Sequence, residues 1–286
     1  MFPNATNTFF RGREMALLTK HKKEQIIAPL LEPFLGVKVV QLDDYDTDNL
    51  GTFTRDVKRA GSQLETARKK ARIGMELTGL KLGLANEGSF GIDPYTGFVP
   101  WNIEVIVLID DIHELELVGV AQGSTKIMQE KVDNLEQAQR LAADFGFPDS
   151  HVIVRPDHAE NPYFIKGVAA WDQFEAAFHD CWQLSKQGLV FIESDFRAHA
   201  NPARQHMIRL ATINLLLKLH SYCPSCHTPG YWVTETKPGL PCEYCEAPTD
   251  VFRSQIYRCP KCGFAKEVAR SDLQFADQGS CSLCNP

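Results

Sequence analysis

The sequence predicts an α/β fold followed by a small cysteine-rich domain, and three observations carry that reading. Strand-like and helix-like segments alternate through the first 200 residues, the pattern of a layered α/β domain. Eight of the nine cysteines fall after residue 220, all of them in Cys-x-x-Cys pairs. The chain has 286 residues, and single cores stop growing near ~250–300 residues, so one large and one small domain are expected. We place the boundary between residues 220 and 221.

Taken in order, residues 15–19 read as a strand and residues 22–31 as a helix that Pro29 ends or kinks. Residues 37–42 form a second strand. Ser62-Gln63-Leu64-Glu65 is a capping box, in which serine and glutamate each satisfy an orphan backbone N–H, and Gly79 supplies the stop for the helix it opens. On that helix Leu64, Ala67, Ala71, Gly74, Met75 and Thr78 share one face at ~100° per residue. Lys70 flanks this face, placed to lay its stem on apolar surface and send its ammonium into a cleft. Residues 80–85 read as a strand that ends in a loop, Asn86-Glu87-Gly88-Ser89-Phe90-Gly91. Ligands gather where strands of α/β sheets end, which makes Glu87 the leading functional candidate.

Residues 102–110 and 115–122 read as paired strands around a turn, followed by a helix over 129–144 and a strand over 151–155. A helix over 168–186 carries Trp171, Phe174, Phe178 and Trp182 as a packing stripe, and residues 189–193 form a strand. Asn201 and Pro202 are an N-cap and a first helical residue, opening a helix that runs to His220. Asp195, Arg197, His199 and Arg204 crowd around that cap more densely than capping requires, so they stand as a secondary site.

Composition sets limits on function. Apolar residues at 44% and charged residues at 23% are ordinary globular values. The longest apolar runs fall far short of the ~20 residues that span a bilayer, so no membrane partner is expected. The opening residues lack the basic and apolar regions of an export signal, which leads us to expect a cytoplasmic protein. A net charge of −6 argues against nonspecific nucleic-acid binding. Residues 55–72 nevertheless hold seven basic residues (Arg55, Lys58, Arg59, Arg68, Lys69, Lys70, Arg72) against Asp56 and Glu65, a net of +5 and a candidate anion-binding patch.

The cysteines pair as Cys223/Cys226, Cys242/Cys245, Cys259/Cys262 and Cys281/Cys284, with fifteen, thirteen and eighteen residues between successive pairs. Two residues between thiolates let both turn towards one ion, and a second pair completes a tetrahedron, so the spacing points to two structural Zn²⁺ in a double zinc ribbon. Disulfides compete only in an oxidising compartment. We expect sequential pairing, in which each ribbon closes a local loop; cross-bracing of alternate pairs also fits the spacing. Four thiolates per ion leave no open position for chemistry, and eight already satisfy two ions, so His227 is expected as a surface residue. With six basic and seven acidic residues from 221 to 286, the tail is no electrostatic clamp for DNA.

The run Glu65-x-Ala67-x-x-Lys70-Ala71, then Thr78-Gly79-Leu80, then Leu84-Ala85-Asn86-Glu87-Gly88-Ser89-Phe90-Gly91 resembles the inosine-triphosphate pyrophosphatase and Maf-like superfamily over roughly residues 15–125. Thr19-x-His21-x-Lys23-Glu24 is similar to that superfamily's opening motif, with His21 in place of asparagine. A single Glu87 stands where its members often have two aspartates. The whole chain also resembles an uncharacterised bacterial family with a histidine-containing start, the segment at residues 46–54 and terminal zinc ribbons. The superfamily resemblance implies an elongated mixed sheet flanked by helices and a cleft for a nucleoside triphosphate or other phosphorylated small molecule. It further implies hydrolysis to a monophosphate and pyrophosphate. Glu87 and Glu24 would hold Mg²⁺ or Mn²⁺, and Lys23, Arg55 and Lys70 would neutralise phosphate oxygens. His21 would bind phosphate or transfer a proton, and Ser89 would help cradle an oxyanion. The alternative is a non-catalytic nucleotide- or RNA-binding protein whose ribbons recruit a protein or RNA partner.

Overall fold

The computed structural model describes residues 9–42 and 61–286. The expected phosphate ligand Arg55, its neighbours Lys58 and Arg59, and the segment 46–54 lie outside the described residues. The chain divides into two compact units, one of Met1–Ile109 with Val118–Asn214, the other of Asp110–Leu117 with Leu215–Pro286.

The first unit is a mixed α/β structure with two sheets. Strand β1 (Glu14–Leu18) leads through helix α1 (Glu24–Leu35) to β2 (Lys38–Leu42), which pairs parallel to it. Helix α2 (Gln63–Thr78) then delivers β3 (Leu82–Ile92), parallel to β1 on its other side. Strands β4 (Pro100–Asp110) and β5 (Leu115–Ser124) complete the order β2-β1-β3-β4-β5. The links joining β3, β4 and β5 are too short for crossovers, which makes these three an antiparallel meander. The expected mixed sheet flanked by helices is therefore present.

Helix α2 begins and ends as its sequence dictates. Ser62 Oγ accepts the Glu65 N–H at 3.3 Å, Glu65 Oε2 accepts the Ser62 N–H at 2.8 Å, and Gly79 takes the left-handed φ of 70° that a side chain resists. Ala67, Ala71 and Met75 pack on Ala85, Val105, Val107 and Ile109 of β3 and β4. Helix α1 departs from expectation, because it passes through both Pro29 and Pro33 and stops only at Gly36. Four buried apolar side chains, Ile26, Ile27, Leu31 and Leu35, hold it. At ~2 kcal/mol each they offset the ~3 kcal/mol that each of the two interior prolines costs.

The second sheet has the order β6-β9-β7-β8 and is antiparallel, from β6 (Gln129–Val132), β7 (Val152–Pro156), β8 (Ile165–Val168) and β9 (Val190–Ser194). Helices α3 (Leu135–Phe145) and α4 (Trp171–Leu184) cover it through Ala138, Ala142, Phe174, Phe178 and Cys181. Two expected helices prove shorter than read. Residues 129–132 form the polar edge strand β6, and Asn134 caps α3 by accepting the Gln137 N–H at 2.8 Å. Residues 165–168 form β8 ahead of α4, whose Phe174 and Phe178 are buried while Trp171 and Trp182 lie at its margin. Helix α5 (Pro202–Leu219) opens as expected, with Asn201 Oδ1 accepting the Arg204 N–H at 2.9 Å.

The second unit contains a three-stranded antiparallel sheet of β10 (Trp232–Pro238), β11 (Phe252–Arg258) and β12 (Ala265–Ala269), bounded by the cysteine pairs. Among the described residues no helix is long and apolar enough to cross a membrane.

Candidate functional site

Strand β3 is longer than expected, so Glu87, Gly88 and Ser89 lie within it and not in a loop beyond it. The reason is its pairing with β4, which continues past the point where β1 ends. Side chains on a strand alternate between faces. Glu87 and Ser89 turn towards α2, where Glu87 forms a buried ion pair with Lys70, and Ser89 Oγ donates to Gln63 Oε1 at 3.0 Å. Gln63 Nε2 in turn donates to the carbonyls of Glu87 and Ile103 at 2.7 and 2.9 Å, which fixes the start of α2 against both strands. The sequence placed Lys70 at the margin of the packed face, and its ammonium does reach the carboxylate at position 87.

Asn86 and Gly88 turn the other way, towards a second ion pair. Arg204 Nε donates to Glu104 Oε1 at 2.8 Å, with both side chains almost wholly buried. Asn86 Nδ2 donates to Glu104 Oε2 at 3.1 Å, and Arg204 also donates to the Phe196 carbonyl. A Cβ at Gly88 would lie 2.2 Å from Glu104 Oε1 and 2.6 Å from an Arg204 nitrogen, so this close crossing requires glycine. Beside it Phe90 stacks on Phe196, ring centroids 4.0 Å apart.

Where β1 ends, the turn into α1 delivers His21, Lys23 and Glu24. Lys22 there adopts a left-handed φ of 55°, an unusual conformation for a side-chain-bearing residue. Lys23 is buried, and its Nζ donates to the Asn86 carbonyl at 2.7 Å, covering a strand edge that β1 has left open. Among the described residues no carboxylate lies within ion-pair distance of it. Burial, then the neighbouring Arg204, with Lys70 adding and Glu87 and Glu104 opposing, bring its pKa from 10.5 down to about 7. His21 falls to about 3, through burial and the charges of Lys23, Arg204 and Arg197 beside His199. It is therefore neutral at physiological pH.

The secondary group read in the sequence joins this cluster. His199 lies with its ring centroid 5.6 Å from that of His21 and 6.2 Å from that of His151. Arg197 makes a two-nitrogen contact to Asp195. Burial opposes charge on Asp195, but the bonds from Arg197 outweigh it and hold its pKa below the usual carboxylate range. Burial, with Arg197 close by, lowers His199, and burial also lowers His151. The arrangement thus sets Glu87, Glu104 and Asp195 each against its own cation, while Lys23 is bonded to a carbonyl.

Of the residues singled out in the sequence, His21, Lys23, Lys70 and Glu87 come together, and Arg204, Arg197 and His199 join them. Ser89 spends its hydroxyl on Gln63. Glu24 opens α1, and its Oε2 is a buried oxygen with no hydrogen-bond partner among the described residues. Sequence reasoning missed Asn86 as a hydrogen-bond donor, and missed Glu104 and His151 altogether. A signal for Glu104 existed: β4 is apolar on both faces, and a carboxylate buried within such a strand demands a partner. Cys181, outside the cysteine pairs, is a core thiol whose pKa burial raises to about 12.

In the second unit the thiolates gather as Cys223, Cys226, Cys259 and Cys262, and as Cys242, Cys245, Cys281 and Cys284. The expected sequential pairing is therefore corrected to a cross-brace. Strand geometry explains it: one strand separates each pair from the next, and every strand carries the chain to the opposite end of the sheet. First and third pairs consequently share one end, second and fourth the other. Nearest sulfurs lie 3.6–3.9 Å apart, close to the ~3.8 Å edge of a tetrahedron with Zn–S bonds of ~2.3 Å. The residues after the second cysteine, His227, Glu246 and Gly263, have φ of 57°, 59° and 72°, which folds each knuckle back on itself. Both groups fit a structural zinc ion. His227 is exposed and belongs to neither.

No relative is found among curated proteins. A match to a known family begins at Lys70, so it takes in Glu87, Glu104, the 195–204 segment and all eight paired cysteines. That family is described as a domain of unknown function, DUF6671, matched over residues 70–286, and the chain belongs to it.

Proposed function

We propose that the cluster around Lys23 binds the phosphates of a nucleoside triphosphate or a related phosphorylated nucleotide and hydrolyses it, releasing pyrophosphate. One observation carries the binding half of this reading: Lys23 is a buried lysine, flanked by Arg204 and Lys70, with no carboxylate within ion-pair distance among the described residues, and burial with those neighbours holds its pKa at about 7. A phosphate is the counter-charge that such a site lacks. The catalytic half is supported by the resemblance of the Thr19–Glu24, Glu65–Ala71 and Leu84–Gly91 motifs to the pyrophosphatase superfamily.

In this reading Lys23 and Lys70 hold phosphate oxygens, and Arg204, fixed by Glu104, keeps the local potential positive. His21, neutral and beside His199, would accept the proton of the attacking water once bound phosphate offsets the cations that, with burial, hold its pKa at about 3. Water oxygen bonds to the α-phosphorus, the bond from that phosphorus to the bridging oxygen breaks, and pyrophosphate leaves. Glu24 and Glu87 would hold a divalent cation, for which the orphaned oxygen of Glu24 is a fitting ligand. Such an ion would supply further neutralisation of phosphate charge and an activated water.

A second reading, binding without hydrolysis, is favoured by the Lys70–Glu87 ion pair, which engages the carboxylate that catalysis would need. A panel of nucleoside triphosphates with Mg²⁺ or Mn²⁺, read by pyrophosphate release, separates the two. Turnover that falls by at least about 100-fold in Glu87→Ala and Lys70→Ala supports the hydrolase. Binding of a triphosphate with no release from any member of the panel supports the binder. Absence of both overturns the proposal.

A further inference from the structure

The two ends of the ribbon are chemically unlike. At the end built on Cys223, Cys226, Cys259 and Cys262, the residues between paired cysteines are Pro224, Ser225, Pro260 and Lys261. At the other end the corresponding third positions are Tyr244 and Leu283, which are 80% and 74% exposed. Phe275 and Leu273 add half-exposed apolar surface, and the Glu243 N–H bond to the Ala276 carbonyl at 2.9 Å ties their segment to the Tyr244 knuckle. Large exposed apolar side chains between the paired cysteines of one group, and none between those of the other, distinguish this end as a candidate contact surface.

Charge around these side chains is predominantly acidic. Residues 239–253 and 270–286 contain Glu243, Glu246, Asp250, Asp272 and Asp277 against Arg253 and Arg270, a net of −3. The nearby Arg270 is already engaged, bonded to Asp272 and stacked on the Phe252 ring. An acidic rim around apolar anchors repels nucleic-acid phosphate and complements a basic, amphipathic protein segment.

We propose that the Cys242/Cys245/Cys281/Cys284 end of the ribbon is a docking surface for a basic amphipathic segment of a protein partner, with Tyr244 and Leu283 as its apolar anchors. The rigid knuckles present both side chains without loop-ordering cost, which favours this surface as an anchor. The inference stands independently of the nucleotide reading, because no residue is shared.

The test uses the full zinc-loaded chain and a displayed library of random peptides, with Tyr244→Ser/Leu283→Ser as counter-selection. Both changes lie on exposed side chains, and a zinc content of two confirms that the variant folds. The expected result is enrichment of net-positive peptides with apolar residues. Their binding should weaken by at least about tenfold in the double variant, and again in Glu243→Lys/Glu246→Lys or on raising salt. Enrichment of neutral or acidic peptides, no enrichment, or binding indifferent to these variants would overturn the proposal. So would Tyr244-dependent binding of a short uridine oligonucleotide, or self-association that the double variant abolishes, since either assigns the surface to another occupant.

Discussion

The two units solve the problem of gathering charge by opposite means. In the ribbon, four thiolates converge because each pair is local and a sheet of three short strands brings alternate pairs to one end. In the first unit, three of the cluster's contacts join distant positions: Lys23 with Asn86, Lys70 with Glu87, Glu104 with Arg204. The ribbon's charges call for one metal ion at each end and need nothing else. The cluster pairs Glu87, Glu104 and Asp195 with cations and leaves Lys23 bonded to a backbone carbonyl and one oxygen of Glu24 without a hydrogen-bond partner among the described residues. The ribbon's thiolates form closed sets of four, whereas the cluster in the first unit keeps polar groups without a charged partner among the described residues.

The largest expected effects probe the ribbon. A structural zinc contributes on the order of 10 kcal/mol to folding, so chelation under mild denaturant should unfold the second unit. Pairing can be broken selectively: Cys223→Ser/Cys259→Ser damages one site of a cross-brace and should retain one zinc, while Cys223→Ser/Cys242→Ser should retain none. Sequential pairing requires the reverse, and metal analysis of the two purified variants decides.

Next come the buried pairs of the first unit. Arg204→Met leaves Glu104 without its cation, a change that costs ~3–5 kcal/mol in buried pairs. Gly88→Ala should destabilise the same region through its clash with Glu104 and Arg204. Urea melts followed by fluorescence should show both midpoints falling. By contrast, the exposed Lys237–Glu267 pair at 2.6 Å on the ribbon sheet is worth ~0.5 kcal/mol or less, so Lys237→Ala should leave the melt almost unmoved. A large loss there would erase the distinction drawn between buried and surface charge.

A pH experiment sharpens the comparison further. His21 has a folded pKa of about 3 against an ordinary 6.5, so the unfolded chain binds the extra proton first. The stability of the neutral form is full above pH 6.5 and is lost as pH falls towards 3. His21→Asn should therefore flatten the decline across that window relative to wild type, which parallel urea melts between pH 6.5 and 4 will show. Lys23 acts in a higher window. Its folded pKa of about 7 lies below 10.5, so stability rises with pH between those values, and Lys23→Met should remove that rise.

What could be read from the sequence follows the same division. Local rules located the Ser62 capping box, the Gly79 stop, the Asn201 cap and the four cysteine pairs, because each is decided within a few residues. The path of α1 through two prolines was not legible, since tertiary burial of Ile26, Ile27, Leu31 and Leu35 overrides a local preference. Glu87 was expected in a loop because the glycines after it resemble a turn, yet Gly88 serves a close approach between side chains from β4 and α5. Glu104 meets Arg204 one hundred positions away, a separation that no local pattern encodes. The cross-brace lay within reach: a strand between every two cysteine pairs fixes which ends they share.

The phosphate-site assignment of Lys23 is best tested by calorimetric titration of a non-hydrolysable nucleoside triphosphate analogue at pH 8, where a pKa of about 7 leaves the lysine mostly neutral, in buffers of different ionisation enthalpy. A bound phosphate stabilises the protonated lysine, so binding should be accompanied by proton uptake that Lys23→Met abolishes. Binding with no uptake, or uptake unchanged in Lys23→Met, would contradict the assignment of this cluster as a phosphate site.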